Sequence, residues 1–288
     1  MKKVIVALFM GMGVLCILPR ANAKEFKEHV SKEFIVSASA SRTVLCIYNI
    51  SGFIKVEGYA GNKVYLEMDK TISADDDKQL EIGKKEFKLA FDQKIDTVMA
   101  YIAEPFDSRP RQNWQHNDNR HDIAYRYQVN FTVKVPYGIN LHVSTVNKGV
   151  ITIDNVSGSL DINNVNEGIT VKNAKGTTHA HTVNGDVTVN YLINPPEASS
   201  YSTINGNIRV NYQPGFSADL TFKSMHGEFF TDFPEAKLRP ASVTKVQDKK
   251  GREAIYQLNT ITKVRFGKGG KTFKFETLNG NVYIKKQS

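Results

Sequence analysis

Several residue sets in this 288-residue chain have types and spacings that could do chemistry. His142, Asp161 and His179 recur 19 and 18 residues apart. Two imidazoles flanking a carboxylate can hold zinc or copper, although a solvated polar ladder is the commoner use of such a column. Asp154, Asp161 and Asp186 are carboxylates of the kind that glycan-cleaving enzymes use in pairs, but nothing in the sequence sets their separation. Around Trp114, the only tryptophan, stand His116, Asp118, His121 and Asp122. They suit an aromatic platform or a surface metal site, or else Trp114 simply pins a long polar loop. Asp75, Asp76 and Asp77 lack the alternating acids and the glycine of a calcium loop. With Ser73 and Asp76 three residues apart as in a capping box, they read instead as the start of a helix. Cys46 lies in the strand-like run Thr43–Tyr48 and reads as a packed small hydrophobe rather than a nucleophile. No nucleophile elbow, phosphate-binding glycine loop, His-Glu-x-x-His helix or cysteine pair is found, and no cofactor is expected.

The elements that position these residues belong to a repeat. Thr145-Val146-Asn147-Lys148-Gly149 and Asn164-Val165-Asn166-Glu167-Gly168 open it. Thr182-Val183-Asn184-Gly185, Thr203-Ile204-Asn205-Gly206 and Ser224-Met225-His226-Gly227 continue it, and Thr277-Leu278-Asn279-Gly280 closes the chain. Asn49-Ile50-Ser51-Gly52 is an outlying copy. From Gly149 to Gly227 the glycines stand 19, 17, 21 and 21 residues apart, which suits a coil of two short strands with turns. Ile151 and Ile153, Val187 and Val189, Ile208 and Val210, and Val282 and Ile284 follow their glycines with period two. That alternation specifies strands with one buried face. A second strand precedes each motif, as in Leu141 and Val143 or Leu160 and Ile162. In this alignment His142, Asp161 and His179 fall in one outward column on successive coils. The Asn-Gly pairs (Asn147 and Gly149, Asn184 and Gly185, Asn205 and Gly206, Asn279 and Gly280) read as structural turns, glycine and asparagine tolerating a tight corner. Stacked asparagines can also bond along the column.

These units, with Ile50–Gly58 and the link Phe131–Pro136, resemble a family of exported bacterial proteins, the putative-adhesin domain of unknown function with β-strand repeats. The likeness covers most of residues 33–288. It implies an all-β fold of the β-solenoid or β-helix type in the cell envelope, and supplies no catalytic residues.

Outside the repeat, Lys2 and Lys3 precede an apolar run from Val4 to Leu18 that ends in Ala21-Asn22-Ala23. This is the pattern of a secretory signal peptide cleaved after Ala23, and the run is too short to span a bilayer. An N-terminal β portion follows over 24–135, with a short helix expected near Ala74–Ile82 and strands near Phe87–Phe91 and Thr97–Ile102. The repeat portion is 136–288, and residues 24–48 and the last coil around Gly280–Ile284 are expected to cap the stack.

The chain carries 38 Lys and Arg against 29 Asp and Glu, a net of +9. Three positive charges leave with the leader, and ten basic against three acidic residues gather in the excursion at 234–271, Lys249, Lys250 and Arg252 among them. The remainder is close to neutral, so no basic stripe offers itself to a nucleic acid, and export makes that partner unexpected. The expectation is a non-catalytic exported envelope module, adhesin-like or scaffolding, whose partner is an envelope protein or an anionic glycan or membrane surface, with Trp114, His116, His121, Lys249, Lys250 and Arg252 as the candidate ligand-binding residues. The alternatives are a glycan-active β-helical enzyme, a lyase or hydrolase, and an envelope-stress sensor or accessory protein.

Overall fold

The structure, a computed structural model, describes residues 23–36, 38–110, 122–240, 243–247, 254–258 and 261–287. The expected signal peptide lies outside these residues, apart from Ala23. The chain is all-β with one α-helix among the described residues. It opens with β1 (Lys24–Ile35), β2 (Val44–Tyr48), β3 (Ile54–Tyr59) and β4 (Lys63–Ala74), then α1 (Asp77–Glu86), β5 (Lys88–Gln93), β6 (Thr97–Glu104) and β7 (Tyr125–Pro136). The repeats supply β8 (Asn140–Ser144), β9 (Ile151–Asp154), β10 (Leu160–Asn163), β11 (Ile169–Ala174), β12 (Thr178–His181), β13 (Val187–Tyr191), β14 (Ser200–Asn205), β15 (Ile208–Tyr212), β16 (Ala218–Lys223) and β17 (Phe229–Thr231). The excursion holds β18 (Lys237–Arg239), β19 (Val243–Gln247), β20 (Ala254–Leu258) and β21 (Thr262–Phe266), and the chain ends with β22 (Thr272–Asn279) and β23 (Val282–Lys286).

Two large sheets take strands from both the 24–135 and the 136–288 stretches. One runs β1-β4-β7-β3-β9-β11-β13-β15-β23-β17 and the other β18-β21-β16-β22-β14-β12-β10-β8-β2-β6-β5. Successive repeats alternate between the sheets, each strand–turn–strand unit placing its first strand in the eleven-stranded sheet and its second in the ten-stranded one. From β7 to β17 and from β16 to β6 every pairing is parallel. Antiparallel strands flank both ends. The inward residues are the ones the alternation names: Ile151, Ile153, Leu160, Ile162, Val187, Val189, Ile208, Val210 and Ile284 are all fully buried. They form one continuous core from Leu45 to Ile284. Toward the C-terminal end the core turns aromatic, Tyr212 stacking on Phe216 with ring centres 3.8 Å apart.

The spatial order of units is not the chain order. The β2–β3 unit lies between β6–β7 and β8–β9, and the β22–β23 unit lies between β14–β15 and β16–β17. The last unit is therefore interior, which corrects its expected role as a cap; of residues 24–48, β1 does lie at a sheet end, whereas β2 is interior. The chain steps over the β2–β3 and β22–β23 units, at Tyr137–Ile139 and Gln213–Ser217. Copies of one motif present equivalent edges, so the motif alone does not rank their neighbours. The ends are closed instead by β1, β4 and β5 on one side and by β16, β17, β18 and β21 on the other.

The helix begins later than expected. Its N-cap is Asp76, whose side chain accepts the Gln79 N–H at 2.7 Å, so Asp76 takes the role that a capping box on Ser73 would have filled. β5 and β6 fall close to their expected positions. Within the excursion, β19 and β20 form an antiparallel hairpin of their own.

Candidate functional site

The repeat motif proves to be a hydrogen-bonding device with three parallel columns. In the first, Asn166 Nδ2 donates to Asn147 Oδ1 at 2.6 Å, Asn184 to Asn166 at 3.1 Å, Asn205 to Asn184 at 2.7 Å and Asn279 to Asn205 at 2.7 Å. Backbone bridges extend this ladder to Ser51 and His226. The ladder stays continuous although Lys148 and Glu167 each add a residue before Gly149 and Gly168, because the extra residue follows the asparagine. In the second column, the buried Thr145, Thr182, Thr203 and Thr277 donate their hydroxyls to carbonyls of the adjacent unit, at Gly52, Glu167, Gly185 and Gly206. In the third, the residue after the glycine accepts a backbone N–H from the next unit. Asp186 takes that of Asn207, Asn207 that of Asn281, and Asn281 that of Glu228.

The glycines also let neighbouring backbones approach closely. A Cβ on Gly149 would lie 2.2 Å from the backbone of Gly52, on Gly206 2.1 Å from the Gly185 carbonyl oxygen, and on Gly227 1.8 Å from that of Gly280. Positive φ occurs at the motif glycines Gly52, Gly185 and Gly280, at 115°, 158° and 158°, and at the non-glycine positions Lys148, Asn155 and Asn173.

On the outward face of the eleven-stranded sheet, the structure does align His142, Asp161 and His179 as register partners. His142 Nδ1 lies 3.3 Å from Asp161 Oδ2. The His179 Nδ1 turns the other way, to Ser200 Oγ at 2.7 Å, and Asp161 Oδ1 accepts from Asn163. The three do not converge on one point, and among the described residues no group of three His, Cys, Asp or Glu is arranged to hold a metal. Further along this face, burial first, and then Cys46, push the Tyr48 phenol up to about 12. Burial also raises the Cys46 thiol, which is 8% exposed. Ser108 bonds the Tyr48 carbonyl at 2.7 Å and the Arg109 guanidinium lies 4.2 Å over Tyr101, so the start of the polar loop is fastened onto this sheet. Trp114, His116 and His121 fall outside the described residues, as do Lys249, Lys250 and Arg252.

The three candidate acids are apart and each is engaged. Asp154 accepts from Asn173 on the ten-stranded sheet, Asp161 faces His142 on the other, and Asp186 pairs with Arg209. Burial pushes the Asp186 carboxyl up, but the Asn207 N–H and the Arg209 guanidinium outweigh it and hold the group below the usual carboxylate range. Asp75 pairs with Arg126, Asp77 with Lys24, and Asp76 caps α1, so the aspartate triplet shares no site.

A row that the sequence reading passed over crosses the outward face of the ten-stranded sheet. Thr152, Thr170 and Thr188 are direct register partners, followed by Arg209, Tyr283 and Phe230. Tyr283 and Phe230 stack with ring centres 5.0 Å apart and planes 10° apart, and the Arg209 guanidinium lies 5.3 Å from the Tyr283 ring centre. Phe230, on the edge strand β17, remains 41% exposed. The signal was present in the triplets Ile-Thr-Ile, Ile-Thr-Val, Val-Thr-Val, Ile-Arg-Val and Val-Tyr-Ile. Their middle residues point outward once the alternation is accepted.

Among the described residues no helix is long and apolar enough to cross a membrane. No family model matches the chain, and no curated protein is similar to it. Among solved structures, a putative cell adhesion protein from Clostridium sporogenes is similar over 90% of this chain and 100% of its own, at 11% identity and a TM-score of 0.42. A putative adhesin from Bacteroides fragilis is similar over 90% and 97%, at 13% identity and a TM-score of 0.32. A putative lipid binding protein from Parabacteroides distasonis covers the same shares at 9% identity and a TM-score of 0.23. The resemblance to the adhesin-domain family thus rests on the motifs of the chain itself.

Proposed function

We propose that this chain is an exported, non-catalytic binding module of the cell envelope. In this reading it is a β-solenoid, with residues 24–135 as its N-terminal portion and 136–288 as its repeat portion, and its ligand is a glycan chain laid across the ten-stranded sheet. The observation that carries the reading is the row Thr152, Thr170, Thr188, Arg209, Tyr283 and Phe230. Parallel strands repeat about every 4.8 Å, so the row offers regularly spaced hydroxyls that end in a guanidinium and an exposed aromatic ring. Hydroxyls and a fixed guanidinium suit the hydroxyl and carboxylate groups of a sugar chain, and an exposed ring face suits its C–H faces.

The test is a glycan array probed with residues 24–288 beside the Phe230→Ala/Tyr283→Ala variant. Retention of a glycan class by the wild type, with at least a tenfold weaker signal for the variant, is the expected result. Equal retention by both, or no retention by either, overturns the assignment of this face. Release of new reducing ends or unsaturated products from a bound glycan would overturn the non-catalytic reading.

A further inference from the structure

The β22–β23 unit is last in the chain but fills a slot between two units that precede it. Both walls of that slot are hydrogen-bonding templates. On one wall, the Gly206 and Ile208 N–H groups donate to the carbonyls of Asn279 and Asn281 at 3.0 and 2.9 Å. On the other, His226 N–H donates to Leu278, and Val282 N–H to Glu228, both at 2.9 Å. Side chains specify the same insert. Phe275 stacks between Tyr201 and Phe222, at 5.0 and 5.1 Å. Thr277, Asn279 and Asn281 extend the three motif columns across the slot.

The insert is entered through Gly267–Lys271, where Gly267, Gly269 and Gly270 have φ of 54°, 76° and 142°. Meanwhile Gln213–Ser217 bridges the slot from β15 to β16, a lateral step of about 10 Å, so both walls are joined without the insert. Withdrawal of the insert would leave two parallel edges unpaired in each sheet, the condition under which an edge recruits another strand.

We propose that this slot is a docking site for the C-terminal strand–turn–strand of a second copy of the chain, and that copies associate by exchanging β22–β23. The occupant is fixed by complementarity. The slot requires aromatic residues at alternate positions, then Thr-x-Asn-Gly-Asn, then two aliphatic residues two apart, and Phe273, Phe275, Thr277, Asn279, Val282 and Ile284 supply that pattern. Exchange conserves every one of these bonds, so the only new demands are an opened glycine connection and the entropy of association.

Two measurements on the full chain test this. In the first, a sequence-specific protease site is placed in the Gly267–Lys271 connection and cut in the folded protein. A labelled 271–288 peptide is then added under mild denaturant. Saturable one-to-one uptake is expected, together with at least a tenfold weaker uptake of a peptide carrying Gly280→Val and Ile284→Asp. In the second, two differently tagged uncut copies are concentrated together under the same mild denaturant and returned to buffer. Mixed dimers are expected, and excess free 271–288 peptide should suppress them. Failure of the cut protein to take up the peptide overturns the proposal, as does a mixture that stays monomeric or dimers that form equally with the peptide present.

Discussion

At the scale of single residues, the repeat is held by contacts between units rather than within them. Gly206 shows why a methyl group cannot be added, since its Cβ would meet the Gly185 carbonyl oxygen at 2.1 Å. Gly206→Ala is expected to force the two backbones apart and cost about 1–3 kcal/mol or more, read as a lower urea midpoint at unchanged slope. Thr182 tests the hydroxyl column. It is fully buried and donates to the Glu167 carbonyl at 2.8 Å. Thr182→Val keeps the shape but leaves that carbonyl without its donor, a loss of about 1–3 kcal/mol, while Thr182→Ser should recover most of it. Equal stability of the valine and wild-type proteins would show that the hydroxyl is dispensable.

At the scale of elements, the edge strand β1 is held to β4 by a clasp that responds to pH. The His29 ring lies between Asp69 and Glu67, each nitrogen 2.8 Å from a carboxylate oxygen, and Ser31 bonds Glu67. Asp69 first, and Glu67 second, raise the His29 pKa above its ordinary 6.5, while Ser31 and then His29 lower that of Glu67. A raised folded-state value means that the contribution of the protonated ring is fully present below about 6.5 and is lost as pH rises through the raised value. Proteolytic release of β1 should therefore quicken as pH rises above about 6.5 and through the raised value, and His29→Gln should flatten that dependence. A His29 resonance that titrates at or below 6.5 would refute the clasp. The strands themselves were legible because apolar period two survives in most units, Thr178 with Ala180 and Thr231 being exceptions, and the asparagine ladder because Asn recurs at one motif position. The helix start shifted because Ser73 and Asp76 are both competent caps. The cross-sheet row of Thr152 to Phe230 was hidden because its members differ in type and gain meaning only as register partners.

At the scale of the whole molecule, the interleaving of first and last units could not be read from sequence, and it changes what a truncation does. In a stack built in chain order, deletion of the last unit exposes one surface and leaves its neighbours seated. Here β14 pairs with β22 and β15 with β23 across sequence separations of about seventy residues, and β16 and β17 pair in turn with β22 and β23. Removal of residues 272–288 should therefore unseat 218–231 as well, uncovering Tyr201, Tyr212 and Phe222, all now buried. Amide exchange read by mass spectrometry should lose protection over residues 200–231 while β8 to β13 keep theirs. A truncated chain that loses protection only along β14 and β15, with β16 and β17 still protected, would mean that the 218–231 unit finds its own seat. Such pairings also place the last residues of the chain among the last contacts to form, because closure over a long separation must precede any gain from pairing. In refolding followed by pulsed exchange, protection over 200–231 and 272–286 should rise together, and after that of β8 to β13.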